Sequence, residues 1–324
     1  MIYSIDNYNW NRISGWAFSE HKKKIKISFY VNKKYIGHSF ACKYRTDLES
    51  IYDSKGFIAF DYEIDQKYRF KQVDIKIGDK FISPKWKLAS ARDSKLLKFY
   101  NNKMKSLEIG ALDKPILSTK SINNVFADHT DINSLKEKYK KRLVRSIDFK
   151  NFSPVDYKLG YILNSKKKFN FEYIVASHFL EHYPNPIYFL KKISFHLKSG
   201  GILSLALPDK RYTFDKNNPS STFNDWMTLF IENSKKPKFS SIYNSLKIKY
   251  KKLNILNFEK KAFFDGLEIH KKNEYFDCHV SYFSKNQFID LIQKLFTLNI
   301  IDLDIIKIYP NFINAEFIVI LKKN

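Results

Sequence analysis

Cysteine, glycine and proline are scarce in this chain, which has 324 residues but only 2 Cys, 9 Gly and 9 Pro. Cys42 and Cys278 lie far apart in the sequence, which argues against a disulfide framework and indicates a reducing compartment, the cytoplasm. No uninterrupted apolar run reaches the roughly 18 residues of a membrane-spanning helix, so we expect no transmembrane segment. The first residues, MIYSIDNYNWN, lack the basic and apolar regions of a secretory signal.

Acidic residues are few relative to basic ones, with 33 Asp and Glu against 57 Lys and Arg, a formal net charge of +24. Such an excess is typical of proteins that bind nucleic acid or an anionic membrane surface. The lysines are scattered, however, and Lys, Asn, Ile, Phe and Tyr are enriched together, as in AT-rich coding sequence. We therefore favour a solvated surface, with peripheral membrane contact as the alternative and nucleic acid as the less favoured partner.

The first 87 residues contain short strand-like stretches separated by polar turns. Ile25–Val31 alternates apolar and polar positions, as a half-buried strand does. Further stretches of strand length lie at 35–42, 57–64, 73–77 and 81–82. Strands at this spacing predict a small all-β, sandwich-like domain at residues 1–87, followed by a second domain at residues 88–324.

The second domain contains a strand–helix–strand pattern. Tyr173–Ala176 and Ile202–Leu207 are buried-strand stretches, and apolar residues between them recur at helical spacing until Gly200 and Gly201 end the helix. A crossover of this length joins parallel strands, and ligands bind beyond the carboxyl ends of such strands. Polar residues crowd both ends: Ser177, His178, Glu181 and His182 after the first strand, and Asp209, Lys210, Arg211 and Asp215 after the second.

A matching unit lies upstream, where Lys105–Asp113 is a short strand running into a tight turn at Gly110. Asn124–Asp128 is a second strand that ends in a carboxylate. A glycine turn followed by an acid about 20 residues later is the layout of a nucleoside site, because the acid accepts hydrogen bonds from ribose hydroxyls. A pyrophosphate would need further glycines. The single Gly110 therefore argues against NAD or FAD and favours S-adenosylmethionine.

Six motifs occur in order over roughly residues 90–300: LEIGALDKPIL, VFADHTD, VDYKLG, ASHFLEH, LKSGGILSLALPDKRYTFD and HVSYFS. Together they resemble a class I S-adenosylmethionine-dependent methyltransferase, and more narrowly a bacterial group often found among surface-polysaccharide genes. The resemblance implies an α/β, Rossmann-like sheet that is mostly parallel with an antiparallel last strand. It also implies that Glu108, Gly110 and Ala111 line the methionine end of the cofactor, that Asp128 binds the ribose, that Asp156 lies near the adenine and that Ser177 closes the pocket.

His178, Glu181 and His182 would share one face of a helix, since positions i, i+3 and i+4 point the same way. Methyl transfer to a hydroxyl needs a general base, for which His178 is the first candidate, followed by His182 and His279. Alternatively, Glu181 and His182, with His178 and His279, hold a divalent metal ion softer than magnesium. A third reading is that Glu181 and His182 only pack the helix. We favour a site without metal.

The polar residues after the second strand have two readings. Asp209, Lys210, Arg211 and Asp215 bind the hydroxyls or an acidic group of a sugar, or they form an internal salt-bridge network that shapes the loop. The lysine-rich insertion at residues 234–272 would cover the acceptor as a lid. Beyond it, the stretches at 300–308 and 315–321 predict an antiparallel hairpin that completes the sheet.

We expect an O-methyltransferase that acts on a sugar of a cell-surface polysaccharide or on its nucleotide-linked precursor. A nucleic-acid methyltransferase and a fold that binds the cofactor without catalysis are the alternatives. The N-terminal β-domain, with its ISGWAF segment, also resembles domains found beside glycan-modifying enzymes. It is either a structural or dimerising appendage, which would make a homodimer, or a glycan-binding module. Exposure of Trp10, Trp16 or Tyr35 would favour glycan binding, because sugars stack on aromatic faces.

Overall fold

The computed structural model describes the chain apart from residues 9–11, 22–23, 46–47, 50–54, 69–70, 84–87, 120, 141–151, 273–274 and 312–314. The chain separates into two compact units, Met1–Lys98 and Phe99–Asn324. Helix α1, Leu88–Leu96, lies at the end of the first unit. The proposed boundary between residues 87 and 88 stays a prediction.

The first unit is built from two antiparallel sheets. One contains β1 (Ile2–Tyr8), β2 (Arg12–Phe18) and β5 (Ala59–Glu63), and the other contains β4 (Lys34–Ala41), β3 (Ile25–Val31), β6 (Asp74–Ile77) and β7 (Lys80–Ile82). Side chains from both sheets form one core, for example Ile13 and Phe60 with Ile27, Phe29 and Ile75. The predicted small all-β arrangement is confirmed, although the sequence did not single out β1 and β2 as strands.

The three aromatic residues that bear on glycan binding differ in placement. Trp10 lies outside the described residues, and Trp16 is half-buried. Tyr35 is 47% exposed on β4. Of the three, Tyr35 therefore meets the expectation of an exposed ring.

The second unit contains one seven-stranded sheet. Its strands are β8 (Ser106–Ile109), β9 (Asn124–Asp128), β10 (Tyr157–Lys158), β11 (Phe171–Ser177), β12 (Leu197–Pro208), β13 (Leu303–Asn311) and β14 (Glu316–Lys323), in the order β10-β9-β8-β11-β12-β14-β13. The strands from β8 to β12 pair in parallel, and β14 runs antiparallel to both of its neighbours. The predicted Rossmann-like sheet with an antiparallel last strand is confirmed.

Helices follow the strands in this unit, and some of them begin at a side-chain cap. They are α2 (Ile132–Lys140), α3 (Leu159–Asn164), α4 (Pro186–His196), α5 (Phe223–Ile231), α6 (Phe239–Lys252), α7 (Phe258–Lys271) and α8 (Lys285–Thr297). The Asn185 side chain accepts from the Tyr188 backbone N–H at the start of α4. Ser284 and Gln287 form a capping box at the start of α8, with Ser284 as the N-cap. Among the described residues, no helix is both long and apolar enough to cross a membrane.

The lysine-rich insertion forms the helical hairpin α6–α7. Ile242, Leu246 and Ala262 from the hairpin share a buried cluster with Cys278. Val280 and Phe276 pack against the same cluster. The hairpin therefore rests on the segment that carries His279, although its action as a lid stays a prediction.

Candidate active site

The turn after β8 needs its glycine and is held by a buried acid. Gly110 has φ +74°, a left-handed conformation that side chains rarely adopt. Glu108 is buried, and its carboxylate accepts from the backbone N–H groups of Ile116 at 2.9 Å and Leu117 at 2.7 Å. Glu108 thus closes the loop that follows Gly110, a role that the sequence did not suggest. Its predicted contact with the methionine end of the cofactor stays a prediction.

Asp128 lies where the nucleoside site predicts it, at the carboxyl end of β9. It is only 5% exposed, and its Oδ1 accepts from the His129 backbone N–H at 2.7 Å and lies 2.5 Å from His129 Nδ1. A small pocket opens beside it. The lining of that pocket includes Ala111, Leu112, Asp128, Leu135, Phe152 and Pro154. The structure therefore brings Ala111 and Asp128 together. The apolar side chains of the same pocket offer a surface for a flat nucleobase.

Asp156 and Ser177 are placed differently from Asp128. The carboxylate of Asp156 accepts from the Phe126 backbone N–H at 2.8 Å, and its own N–H donates to the Phe126 carbonyl at 2.9 Å. Asp156 thus extends the pairing beside β9 and is not among the residues that line the pocket. Ser177 ends β11 and is half-buried. Their contacts with the cofactor stay predictions.

The helical face predicted for residues 178–182 is wrong. His178 has φ +51°, so the chain leaves β11 in a left-handed conformation. The following turn, Leu180–His182, is a short 3-10 helix that excludes His178. His178 and Glu181 still meet across this turn, with Nδ1 of His178 3.3 Å from Oε1 of Glu181.

His178 is held between two buried carboxylates. Its Nε2 lies 2.9 Å from Oε2 of Glu316, the first residue of β14. Burial opposes the charged imidazole, but the neighbouring carboxylates of Glu181 and Glu316 prevail and raise the pKa of His178 to about 9. Glu181 is fully buried. Burial opposes the charged form of its carboxyl, but the neighbouring histidines prevail and lower its pKa. His178 is therefore an imidazolium at neutral pH.

Sequence reasoning missed Glu316. The only available signal was an acid at the start of an otherwise apolar strand, and this does not say which residue the acid faces.

His182 and His279 meet each other, and each faces an acid. Their ring centroids lie 4.5 Å apart at 87°. Nδ1 of His182 is 2.9 Å from Asp277 Oδ1, and Nδ1 of His279 is 2.6 Å from Asp215 Oδ2. Burial opposes the charge on His182, but Asp277 and Glu181 prevail and raise its pKa. The structure thus gathers all three predicted histidines around Glu181.

The two segments of this cluster are joined by backbone hydrogen bonds. The carbonyl of Glu181 accepts from the N–H groups of Val280 at 2.7 Å and Ser281 at 3.2 Å. These bonds fix the loop after β11 against the HVSYFS segment, and so fix His182 against His279.

Three side chains of the cluster fit a divalent metal. Ligand atoms of Glu181, His182 and His279 all lie within 4.8 Å of one another. Neither oxygen of Glu181 accepts an aligned hydrogen bond from the residues that the structure describes. Each histidine also turns Nδ1 toward a carboxylate, as metal-binding histidines commonly do. His178 is not in this group; its two nitrogens face Glu181 and Glu316.

The predicted substrate residues divide into two sets. Arg211 donates to both oxygens of Asp209, at 2.9 and 2.7 Å, and Asp209 is buried. Burial opposes the charge on Asp209, but these bonds prevail and lower its pKa. The salt-bridge reading therefore describes this pair. Lys210 packs in the same turn, with its backbone N–H donating to the Phe283 carbonyl, whereas Asp215 belongs to the histidine cluster.

Two exposed aromatic side chains, one of them next to the cluster, were not predicted. Phe214 is 60% exposed and its ring centroid lies 4.9 Å from that of His279. Tyr212 is 51% exposed, with the Arg211 guanidinium 5.2 Å from its ring centroid. Large exposed rings beside buried ionisable groups offer apolar faces to a bound molecule.

The sheet order, the glycine turn and the acid at the end of β9 define a class I methyltransferase fold. The sequence profile of the family described as "Methyltransferase domain" matches residues 88–249. The chain belongs to this family: it is an S-adenosylmethionine-dependent methyltransferase, and S-adenosylmethionine is its methyl donor.

Solved structures similar to this chain are also methyltransferases. A SAM-dependent methyltransferase of Thermotoga maritima is 13% identical, with a TM-score of 0.37, over 72% of this chain and 88% of that one. One from Methanosarcina mazei is 14% identical, with a TM-score of 0.35, over 71% and 96%. The N-methyltransferase NodS of Bradyrhizobium japonicum, bound to S-adenosylhomocysteine, is 10% identical, with a TM-score of 0.34, over 72% and 86%. Similarity this low adds nothing to the family assignment. A search of curated protein sequences finds no match.

Proposed function

We propose that the chain methylates a hydroxyl group of a sugar, in a cell-surface polysaccharide or in its nucleotide-linked precursor, with His279 as the general base. The contact between His279 and Asp215 carries this proposal. When bound, the cofactor supplies an electrophilic methyl group on sulfur. The residues of this chain must then orient the hydroxyl oxygen toward that methyl group and accept its proton.

The tautomer of His279 follows from its partner. An ionised carboxylate only accepts hydrogen bonds, so Nδ1 of His279, 2.6 Å from Asp215, carries the ring proton. Nε2 then keeps its lone pair. Nε2 would take the proton that the sugar hydroxyl loses on methylation, and Asp215 would stabilise the resulting imidazolium.

His178 has a different role in this proposal. With a pKa of about 9, it holds its proton at neutral pH and offers a positive charge between Glu181 and Glu316. This charge orients the buried acids of the cluster. His178 is therefore a positioning residue here, and the base is His279.

A sugar acceptor is supported by two features. Phe214 lies beside His279, and Tyr212 is exposed in the same turn-rich segment, so an apolar sugar face can stack next to the base. The motifs of residues 90–300 also resemble methyltransferases found among surface-polysaccharide genes. Lys210 carries positive charge in the same segment, which suits a sugar with an acidic group or a nucleotide diphosphate.

The acceptor class is tested by incubating the chain with S-adenosylmethionine and measuring S-adenosylhomocysteine. The acceptors are a panel of nucleotide sugars, acidic and neutral oligosaccharides, and random RNA. We expect turnover with a sugar acceptor that greatly exceeds the background and none with RNA. Turnover with RNA and with none of the sugars would replace this proposal by the nucleic-acid alternative, which the net charge of +24 favours.

A further inference from the structure

Five aromatic rings form a continuous row on the outer face of the four-stranded sheet in the first unit. The row runs from Phe81 on β7 through Tyr30 on β3 to Tyr35, His38 and Phe40 on β4. Successive ring centroids are 5.2, 5.7, 6.5 and 5.3 Å apart. We call these five residues the aromatic row.

The strand pattern explains why the aromatic row faces outward. Along β3, alternate residues from Ile25 to Val31 are buried against the other sheet, which turns Tyr30 to the opposite face. Tyr30 pairs with Tyr35 on β4, and Lys76 pairs with Phe81 on β7. Adjacent strands thus bring residues that are distant in sequence into one line.

The aromatic row is exposed to solvent. Because these positions face away from the core, polar side chains could occupy them without loss of core packing. Phe81 is 59% exposed, Tyr35 47% and Phe40 38%. Cross-strand aromatic pairs stabilise a sheet only modestly. Clustered exposed rings on one face mark a binding surface.

Three lysine side chains lie close to rings of the aromatic row. Lys24 lies 5.5 Å from the ring centroid of Phe40, Lys26 lies 6.0 Å from that of Tyr35, and Lys76 lies 5.7 Å from that of Phe81. In the part of the chain that the structure describes, no ion pair with an acid is found for Lys24, Lys26 or Lys76. The face therefore combines apolar rings with positive charge that a ligand can neutralise.

We propose that the aromatic row is a binding site for an acidic polysaccharide chain. Successive sugars would stack on the rings, and the lysines would pair with their carboxylate or phosphate groups. The proposal rests on the proposed function in one respect: the glycan acceptor makes an acidic glycan the ligand to expect. The interleaved lysines disfavour a second copy of this basic chain, because like charges would face each other.

A glycan also suits the ring geometry better than single-stranded RNA does. Three of the four successive ring pairs are inclined by 47°, 69° and 86°. Flat bases stack in sequence on aromatic platforms, whereas this row offers planes of changing direction. Sugars linked through flexible bonds can follow such changes.

The test is calorimetry on the full chain with oligogalacturonate, neutral dextran oligomers and poly(U). Oligogalacturonate should bind, and Tyr35→Ala and Phe81→Ala should each weaken binding at least tenfold while leaving the charge unchanged. Tyr35→Trp should retain binding. Phe57→Ala is the matched control, because Phe57 is 57% exposed in the same unit but is not in the row. Far-ultraviolet circular dichroism confirms that each variant is folded.

Several outcomes would overturn the site. The site is contradicted if oligogalacturonate does not bind, or if the ring variants leave its binding unchanged. It is also contradicted if neutral dextran binds equally well, or if poly(U) binds more tightly and depends on the rings. Conversion of a dimer to a monomer by the ring variants, measured by light scattering, would assign the face to self-association. No methyl transfer occurs in this assay, so failure of the site is distinguished from failure of the proposed activity.

Discussion

A histidine acts as a general base only while one ring nitrogen is unprotonated, and this condition separates the histidines of the site. His178 faces carboxylates through both nitrogens, which favours its protonated form. His279 faces Asp215 through Nδ1 alone. At His182 burial opposes the charged ring, but Asp277 and Glu181 prevail and raise the pKa. We therefore propose His279 for the base role that the residue order assigned first to His178.

Removal of the base should lower turnover without weakening cofactor binding. We expect His279→Gln to reduce kcat by roughly 10²–10⁴ and Asp215→Asn to reduce it by a smaller factor. The affinity for S-adenosylhomocysteine should remain the same in both variants. Steady-state kinetics and calorimetry measure the two quantities. His21→Gln, at an exposed histidine of the first unit, is the control and should leave kcat unchanged.

The same kinetics distinguish a base from a metal ligand. With His279 as a simple base, a chelator such as EDTA leaves turnover unchanged. Inactivation by EDTA that Zn²⁺ or Mn²⁺ reverses would instead make Glu181, His182 and His279 a metal site. Glu181→Gln should then mimic the chelator.

The pKa of His178 predicts how stability depends on pH. It rises from 6.5 in the unfolded chain to about 9 in the fold. A group whose pKa is raised on folding contributes its full stabilisation below the unfolded value, about pH 6.5. This contribution is lost as the pH rises through the folded value of about 9. His178→Gln should therefore destabilise the protein most near pH 6, and the difference should shrink toward pH 9.5. Urea unfolding of both proteins across this range measures it, and a pH-independent difference would contradict the charged pair.

Asp128 should contribute directly to cofactor affinity. It ends β9 within the pocket beside Ala111. Hydrogen bonds from ribose hydroxyls to a carboxylate contribute about 1.5–3 kcal/mol each, so Asp128→Ala should raise the Kd for S-adenosylhomocysteine at least about tenfold. Calorimetry measures the change. Asp290→Ala, at an exposed position on α8, should bind as the wild type does, and equal affinity of both variants would remove Asp128 from the ribose site.

At the scale of elements, apolar runs in the sequence predicted the buried strands. The sequence did not show which distant segments pack against each other. Strand β12 was predictable because six consecutive residues, Ile202–Leu207, are apolar or small and buried on both faces of the sheet. The turn after β11 was not, because the left-handed conformation of His178 has no sequence signal. Nor could spacing show that Glu316 approaches His178 from 138 residues away.

Helix α8 depends on its first turn. Ser284 accepts from the Gln287 N–H, and the Gln287 side chain accepts from the Ser284 N–H. Ser284→Ala should lower the free energy of unfolding by about 0.5–2 kcal/mol, and Ser284→Asp should restore most of it. Urea denaturation measures both. A Ser284→Ala protein as stable as the wild type would show that the packing of Phe288 and Ile292 alone sets the start of α8.

At the scale of the whole molecule, the two units have separate cores. The core of the first unit contains residues from Tyr8 to Ile77, and that of the second contains residues from Leu107 to Leu321. The family match begins at residue 88, and every candidate residue of the active site lies beyond it. The chemistry thus belongs to the second unit, and the aromatic row belongs to the first.

Separate cores predict that the second part of the chain folds and binds its cofactor alone. A fragment of residues 88–324 retains the core of the second unit, the pocket beside Asp128 and the histidine cluster, so nothing that binds S-adenosylhomocysteine is removed. It should unfold cooperatively and bind with the affinity of the full chain, while losing the binding of oligogalacturonate proposed for the first unit. Circular dichroism and calorimetry measure these properties. An aggregated fragment, or a folded one without affinity for the cofactor, would show that the division after residue 87 cuts through a shared structure.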